Sequence, residues 1–211
     1  FNFNFLKIFR KNFIYVKPFI FSEMIDVAAE RGGIFFLAYI ANDLSGMAEY
    51  NIALTIAGIS SVGINVINQV FSPQLYDSIK MDKKIISDLY IKMRNYSVLF
   101  SLIAFLFILL IGKNFILYFF TEKYIYAFNL LLILQFGQLI HSSFGPNSLL
   151  GHLAGFTINV STYKLITTVL MVFISYLFFE KVGIDIVAYS YVLSLFLWNL
   201  IVRIKIRSLI F

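Results

Sequence analysis

The chain has 211 residues and a formal net charge of +6; 60% of its residues are hydrophobic and only 13% are charged. Soluble domains carry about 25% charged residues, so this composition excludes an ordinary globular enzyme and a disordered or collagen-like chain. The absence of cysteine also excludes disulfides and thiolate metal sites. The expected class is therefore a helical membrane protein, and its basic residues are expected in cytoplasmic loops, with no role in binding nucleic acid.

Long apolar segments follow one another along the chain, each close to the roughly 20 residues that a membrane-spanning helix needs. Gly145-Pro146 and Gly155 interrupt the longest of these segments, where a break between two helices is expected. The sequence predicts an all-α integral membrane protein, a bundle of six transmembrane helices over residues 19–203. The predicted spans are 19–41, 48–75, 93–112, 124–146, 157–179 and 184–203.

Charged residues predict the orientation and the segments outside the bundle. With a cytoplasmic amino terminus, the outer loops hold only Lys113, Lys123 and Lys181, and Lys164 is counted with an inner loop. Since cytoplasmic loops are enriched in Lys and Arg, both ends of this multi-pass chain are expected in the cytoplasm. The flanking segments are a basic and aromatic lead-in at 1–18, an amphipathic connector on the inner membrane surface at 77–94, and a basic tail at 204–211.

The amino-terminal residue is Phe1 and not methionine, and no signal peptide is recognisable near it. We therefore expect the chain to be a fragment of a longer protein.

The first predicted span carries four charged residues, Glu23, Asp26, Glu30 and Arg31. A charge at the centre of a membrane helix costs about 2.5–3.5 kcal/mol, so these side chains are not expected to face lipid. One interpretation is a neutralised cluster that packs against another helix, or a span that begins only near Gly32. The other is a water-filled cavity in which the three carboxylates bind a proton or a sodium ion, while Arg31 neutralises them or contacts an anionic substrate.

Small and polar residues recur three or four positions apart in the second and fourth spans. Such stripes are typical of close helix packing as well as of a substrate-lining face. We expect spans one, two and four to enclose one polar space and spans five and six to form lipid-facing scaffold. The candidate cavity-lining residues are Arg31, Ser61, Asn65, Asn68, Gln69, Gln135, Gln138 and Ser142.

Motifs of catalysis are missing from the sequence. It contains no Gly-rich phosphate loop, no nucleophile elbow and no metalloprotease histidine pair. His141 and His152 flank Pro146 without a third ligand nearby, so no metal site and no cofactor are predicted. The sequence therefore does not predict an enzyme.

Several short motifs follow one another along almost the whole chain. They are Gly46-Met47-Ala48-Glu49-Tyr50-Asn51-Ile52-Ala53, Ser72-Pro73-Gln74-Leu75-Tyr76, Gly112-Lys113-Asn114, Leu131-Leu132-Ile133-Leu134-Gln135-Phe136-Gly137-Gln138, Asn147, Leu149-Leu150, Gly155 and Gly183-Ile184. In this order they resemble the carboxyl-terminal lobe of lipid-linked oligosaccharide flippases of the polysaccharide transport (Wzx-type) family, in the MATE/MOP transporter superfamily. The first resembles that family's G-x-x-x-Y-x-x-A turn, and the fourth its L-x-I-L-x-x-G-Q stretch.

The resemblance implies half of a twelve-helix alternating-access transporter, whose missing amino-terminal six-helix lobe would complete the cavity. It implies a protein of the bacterial inner membrane that flips undecaprenyl-diphosphate-linked oligosaccharide for surface polysaccharides such as O-antigen, in contact with membrane lipids. Cavities of the family are generally cationic. The three acids of the first span depart from that pattern, which favours coupling to a proton or sodium gradient as their role.

Two other functions stay open at this point. Multidrug exporters and peptidoglycan-precursor flippases of the same superfamily share the topology. An intramembrane transferase or polymerase that acts on lipid-linked sugars would also need acids near the membrane surface, with Glu23, Asp26 or Glu30 as a base or a metal ligand.

Overall fold

The computed structural model describes residues 5–78 and 83–210, and within these ranges the chain is almost entirely helical, without strands. The predicted all-α class is confirmed. The helices are α1 (Phe5–Phe35), which continues as a π-helical turn over Phe36–Ile40, α2 (Leu44–Ser78), α3 (Lys83–Phe120), α4 (Ala127–Ser143), α5 (Asn147–Leu153), α6 (Thr157–Val182) and α7 (Asp185–Ile210); a 3₁₀ turn, Glu122–Tyr124, precedes α4.

Four helices of the described ranges, α2, α3, α6 and α7, are long and apolar enough to cross a membrane. Helices α4 and α5 bend by 46° at their junction and make a fifth span if they are taken together. Helix α1 is not in this group, because Glu23, Asp26, Glu30 and Arg31 interrupt its apolar sequence. The chain therefore has the architecture of a membrane-embedded helical bundle with four or five apolar spans.

Several helices extend beyond the predicted spans. Helix α1 begins at Phe5 and includes Pro18, so most of the predicted lead-in is helical. Helix α3 begins at Lys83, and no Pro or Gly separates residues 83–94 of the predicted connector from the third span, so this part of the connector and the span form one continuous helix. Helix α7 likewise includes most of the predicted tail. Residues 1–4, 79–82 and 211 of these segments lie outside the described residues.

The break between α4 and α5 has a local cause in the sequence. Gly145 has a φ of +72°, a left-handed conformation that favours glycine, and Pro146 has no backbone N–H to continue the helix. No backbone N–H of the described residues donates to the carbonyl oxygen of Phe144 at this break. This oxygen accepts hydrogen bonds from the Tyr90 hydroxyl and from Arg203 Nη1, the latter at 3.1 Å.

Two apolar clusters hold the helices together. The first apolar cluster is centred on buried residues that include Leu37, Tyr50, Leu54, Leu131, Met171 and Ala188. The second apolar cluster includes Leu75, Tyr90, Met93, Leu150, Val160, Trp198 and Val202. Along α2, α6 and α7 the two clusters occupy opposite ends of each helix. Helix α1 packs along α6, α6 along α7, α7 along α4, and α4 against both α2 and α3.

Candidate functional site

A polar cavity lies at mid-height of the bundle, between the two apolar clusters. Its larger part has a volume of about 230 Å³, and a second part of about 180 Å³ shares Asp26, Asn65, His141, Lys164 and Trp198 with it. On α2 its lining begins at Leu54 of the first apolar cluster and ends at Asn68, well before Leu75 of the second.

An ion pair joins α1 to α6 inside this cavity. Lys164 Nζ donates a hydrogen bond of 2.6 Å to Asp26 Oδ1, and the ammonium also lies 4.7 Å from the centroid of the Trp198 ring. The Lys164 side chain is only 11% exposed, whereas that of Asp26 is 37% exposed. The ammonium is thus held away from solvent by a carboxylate and an aromatic face, and the carboxylate keeps its access to the cavity.

Glu30 adds a second carboxylate to the cavity wall, one turn after Asp26. The charged lining of the larger part consists of Asp26, Glu30 and Lys164, so the acids exceed the base by one. A cation or a proton in the cavity would balance this excess.

Hydrogen bonds between α2 and α4 form the neighbouring wall. Ser61 Oγ donates to Gln138 Oε1 at 3.1 Å, and Gln135 Nε2 donates to Ser60 Oγ at 2.6 Å. Gln138 lines the cavity, whereas Gln135 is fully buried behind it. The two amides consequently serve different purposes: one is presented to the cavity, and the other joins the helices.

His141 has a defined hydrogen-bonding partner at the cavity. Asn199 Nδ2 lies 2.8 Å from His141 Nδ1 and also donates to the carbonyl oxygen of Leu195. Because an amide nitrogen only donates, His141 Nδ1 is an acceptor, and the proton of the neutral ring is on Nε2. The ring therefore has one N–H donor, on Nε2, that the Asn199 contact leaves free.

Only two of the four charged residues predicted from the first span line the cavity. Glu23 lies instead in a shallow depression with Phe19, Met24 and other apolar side chains of the outer face of α1. Arg31 is exposed, and its Nη1 is 3.4 Å from Asn51 Oδ1. Both residues fall outside the cavity because the rotation of α1 turns its Asp26 and Ala29 side toward α6 and α7. The cation that neutralises Asp26 is Lys164, so Arg31 is not the neutralising partner.

The predicted polar stripes divide between three environments. Ser61, Asn65 and Gln138 line the larger part of the cavity, and Asn65, Asn68 and Ser142 line the smaller part. Gln69 is exposed. Gln135 lies in the α2–α4 contact and lines neither part.

Helices α6 and α7 contribute residues that sequence reasoning missed. Lys164 of α6 and Tyr191, Ser194 and Trp198 of α7 line the cavity. The prediction that the fifth and sixth spans are lipid-facing scaffold is therefore wrong for these faces. Lys164 was assigned to an inner loop, but it is the eighth residue of α6, which begins at Thr157. A lone basic residue inside an apolar segment was the signal that could have identified it.

No three His, Asp or Glu side chains are grouped as potential metal ligands in the part of the chain that the structure describes. Comparison of the chain with protein-family models, with curated proteins and with solved structures found no match.

Proposed function

We propose that the chain is one lobe of a membrane transporter and that the polar cavity receives the polar part of its substrate. The observation that carries this proposal is the Asp26–Lys164 ion pair within a polar cavity at mid-height of an apolar bundle. Keeping ionised groups at this depth is costly, and such groups commonly mark substrate or ion pathways.

The proposed cargo is a lipid-linked oligosaccharide, and the proposed activity is its flipping across the bacterial inner membrane. The sequence motifs support this assignment, as does the chemistry of the cavity. Hydroxyl and amide groups of Ser61, Asn65, Gln138 and Ser194 offer both donors and acceptors, which suit sugar hydroxyls. The large exposed apolar faces of α3 and α6 suit a protein surrounded by lipid.

The second lobe of the transporter is proposed to lie against α1 and α2. Glu30 and Asn65 line the cavity and are nevertheless exposed in this chain alone. A covering domain on that side would enclose them. The end of the bundle near the second apolar cluster carries Lys83, Arg203 and Arg207, so we assign it to the cytoplasm.

Coupling to an ion gradient is proposed for the acids that line the cavity. Asp26 and Glu30 are one helical turn apart, and Lys164 neutralises only one negative charge. A proton or sodium ion that joins them would remove the remaining charge. Occupation of this site would then differ between the two sides of an energised membrane.

The experiment that tests the proposed function is flipping in vesicles. The full-length protein is reconstituted with a lipid-linked oligosaccharide, and the transbilayer distribution of the cargo is followed together with its chemical structure. The proposal expects redistribution of unmodified cargo, which Lys164→Gln slows strongly. Covalent change of the lipid-linked sugar would identify a transferase instead. Redistribution of a small drug or of a peptidoglycan precursor in place of the oligosaccharide would identify another branch of the superfamily.

A further inference from the structure

A second group of polar residues surrounds the break between α4 and α5, next to the smaller part of the cavity. This group, the break cluster, consists of Tyr90 and Arg94 of α3, the carbonyl of Phe144, Asn147 of α5, and Arg203 of α7. Arg203 Nη1 donates to Tyr90 Oη at 2.6 Å and to the Phe144 carbonyl oxygen at 3.1 Å. The Tyr90 hydroxyl is also within hydrogen-bonding distance of Asn147 Oδ1. The bonds to the Phe144 carbonyl oxygen satisfy an acceptor that receives no backbone N–H.

Arg94 lies beside this network on the same helix as Tyr90. A Cβ atom placed on Gly145 would be 3.1 Å from both Arg94 Cβ and Tyr90 Cζ, so the two residues cover the break together. The guanidinium of Arg94 makes hydrogen bonds of 3.2 and 3.4 Å only to the amide oxygen of Asn95, its neighbour in the chain. The guanidinium of Arg203 is 5.2 Å from the Tyr90 ring centroid.

Neither arginine is neutralised by an acid of the described residues. In those ranges, Lys164 and Asp26 form the one pair of opposite charges within 4.0 Å. Arg94 and Arg203 are nevertheless half-buried, and no hydrogen bond of Arg203 uses its Nη2 or Nε. Two half-buried guanidinium groups without a carboxylate have spare donors in the geometry that matches a phosphate.

An apolar surface lies next to the break cluster. It indicates which kind of phosphate-bearing molecule would fit there. Phe196 and Leu200 lie seven and three residues before Arg203 on the same side of α7, and they are 39% and 37% exposed. The ring of Phe196 packs on Phe144 at the break, 5.6 Å between centroids. Since α7 runs from the first apolar cluster toward the second, this strip extends from Arg203 toward the middle of the bundle.

We propose that the break cluster binds the phosphate headgroup of an anionic phospholipid, with an acyl chain of that lipid on Phe196 and Leu200. Basic pockets between membrane helices at the cytoplasmic side are suited to such headgroups. The bound lipid would supply the negative charge that Arg94 and Arg203 lack and would brace the junction of α3, α4 and α7. Asn147 also lines the smaller part of the cavity, but Arg94, Arg203, Phe196 and Leu200 line neither part, so lipid binding can be tested separately from transport.

The test is lipid binding to the purified full chain in detergent. Native mass spectrometry and thermal unfolding are measured with dioleoylphosphatidylglycerol, with dioleoylphosphatidylcholine and with inorganic phosphate. We expect the anionic lipid to bind several-fold more tightly than the zwitterionic lipid and to raise the unfolding temperature more than either of the other two. Arg94→Gln should weaken the anionic lipid about tenfold, the loss of a charge-assisted contact. Lys123→Gln, which removes an exposed charge at the other end of the bundle, should bind as the native chain does.

Equal affinity of the native chain and Arg94→Gln for phosphatidylglycerol would overturn the proposal. An equal rise in unfolding temperature with inorganic phosphate would also overturn it, because the apolar strip would then contribute nothing. If Arg94→Gln fails to fold, Arg94→Lys provides the same comparison, since it keeps the charge but loses the planar fork. In that variant the preference for the anionic lipid should fall but not vanish. An undiminished preference in Arg94→Lys would contradict guanidinium recognition.

Discussion

Lys164 of α6 and Asp26 of α1 form an ion pair with a distance of 2.6 Å, although they are 138 positions apart in the chain. This contact joins the helix with the most charged sequence to one of the apolar spans. It also places a positive and a negative group in the polar cavity between the two apolar clusters. The packing of α1 therefore depends on its partner in α6, and so does the charge balance of the cavity.

Loss of the lysine should destabilise the protein more than loss of the nearby arginine. In Lys164→Met, Asp26 loses its neutralising partner, and we expect the free energy of unfolding to fall by about 1–3 kcal/mol. The effect should be smaller than for a fully buried pair, because the Asp26 side chain is 37% exposed. The matched control, Arg31→Met, should change stability by less than about 0.5 kcal/mol. Denaturation of both variants in the same detergent measures the difference.

A double-mutant cycle attributes this loss to the pair. Asp26→Asn combined with Lys164→Met should be more stable than the sum of the single changes predicts, by at least about 0.5 kcal/mol. Strictly additive effects would show that the two groups do not interact in the membrane.

The gradient dependence of transport should depend on Asp26 but not on Glu23. Asp26→Asn keeps the shape of the side chain but removes a charge from the cavity, so the response of flipping to a proton or sodium gradient should weaken several-fold. Glu23→Gln is the matched control on the same helix, because Glu23 lies on the outer apolar face. Flipping in vesicles with and without an imposed gradient measures both. A normal gradient response in Asp26→Asn, with normal expression, would remove the coupling role of this residue.

Two glycines should respond in opposite ways to the same substitution. Gly145→Ala should cost about 1–3 kcal/mol, because the left-handed backbone strains any side chain and a Cβ would contact Tyr90 and Arg94. Gly58→Ala should leave stability unchanged or raise it by up to about 1 kcal/mol, since no atom lies within 4 Å of a Cβ there and alanine favours the helix. Thermal unfolding of the two variants checks this. A destabilised Gly58→Ala would mean that α2 packs more closely than described.

The helical architecture could be predicted from the sequence because its cause is local. Long apolar runs produce the long helices, which tolerate single Pro and Gly residues such as Pro18 and Pro73, whereas the adjacent pair Gly145-Pro146 produces the break. The extent of the helices was less predictable. Lipid thickness limits an apolar span but not a helix, so α1 and α3 also include basic segments that were predicted to lie outside the spans, on the cytoplasmic side.

The composition of the cavity was only partly predictable, because it depends on how each helix is rotated. Periodicity indicated one polar face on α2 and one on α4, and Ser61, Asn65 and Gln138 lie at the cavity. Periodicity alone could not tell which side of α1 faces the bundle, and so it did not separate Asp26 from Glu23 and Arg31. Lys164 was missed for a different reason: Ser161, Thr162 and Tyr163 precede it, and a polar stretch next to a helix break resembles a loop.

The central claim is that a polar cavity lies among the helices at mid-height, and accessibility of single cysteines tests it most directly. The 211 residues contain no cysteine. Any cysteine in the rest of the full-length protein is first replaced by serine, so that each introduced thiol reports one position. In membranes that contain the full-length protein, Ser61→Cys and Asn65→Cys should react with a membrane-impermeant, water-soluble thiol reagent. Leu106→Cys and Glu23→Cys should react far more slowly, because both positions face away from the cavity. Equal reactivity at all four positions, or reaction at Glu23 but not at Asn65, would contradict the cavity.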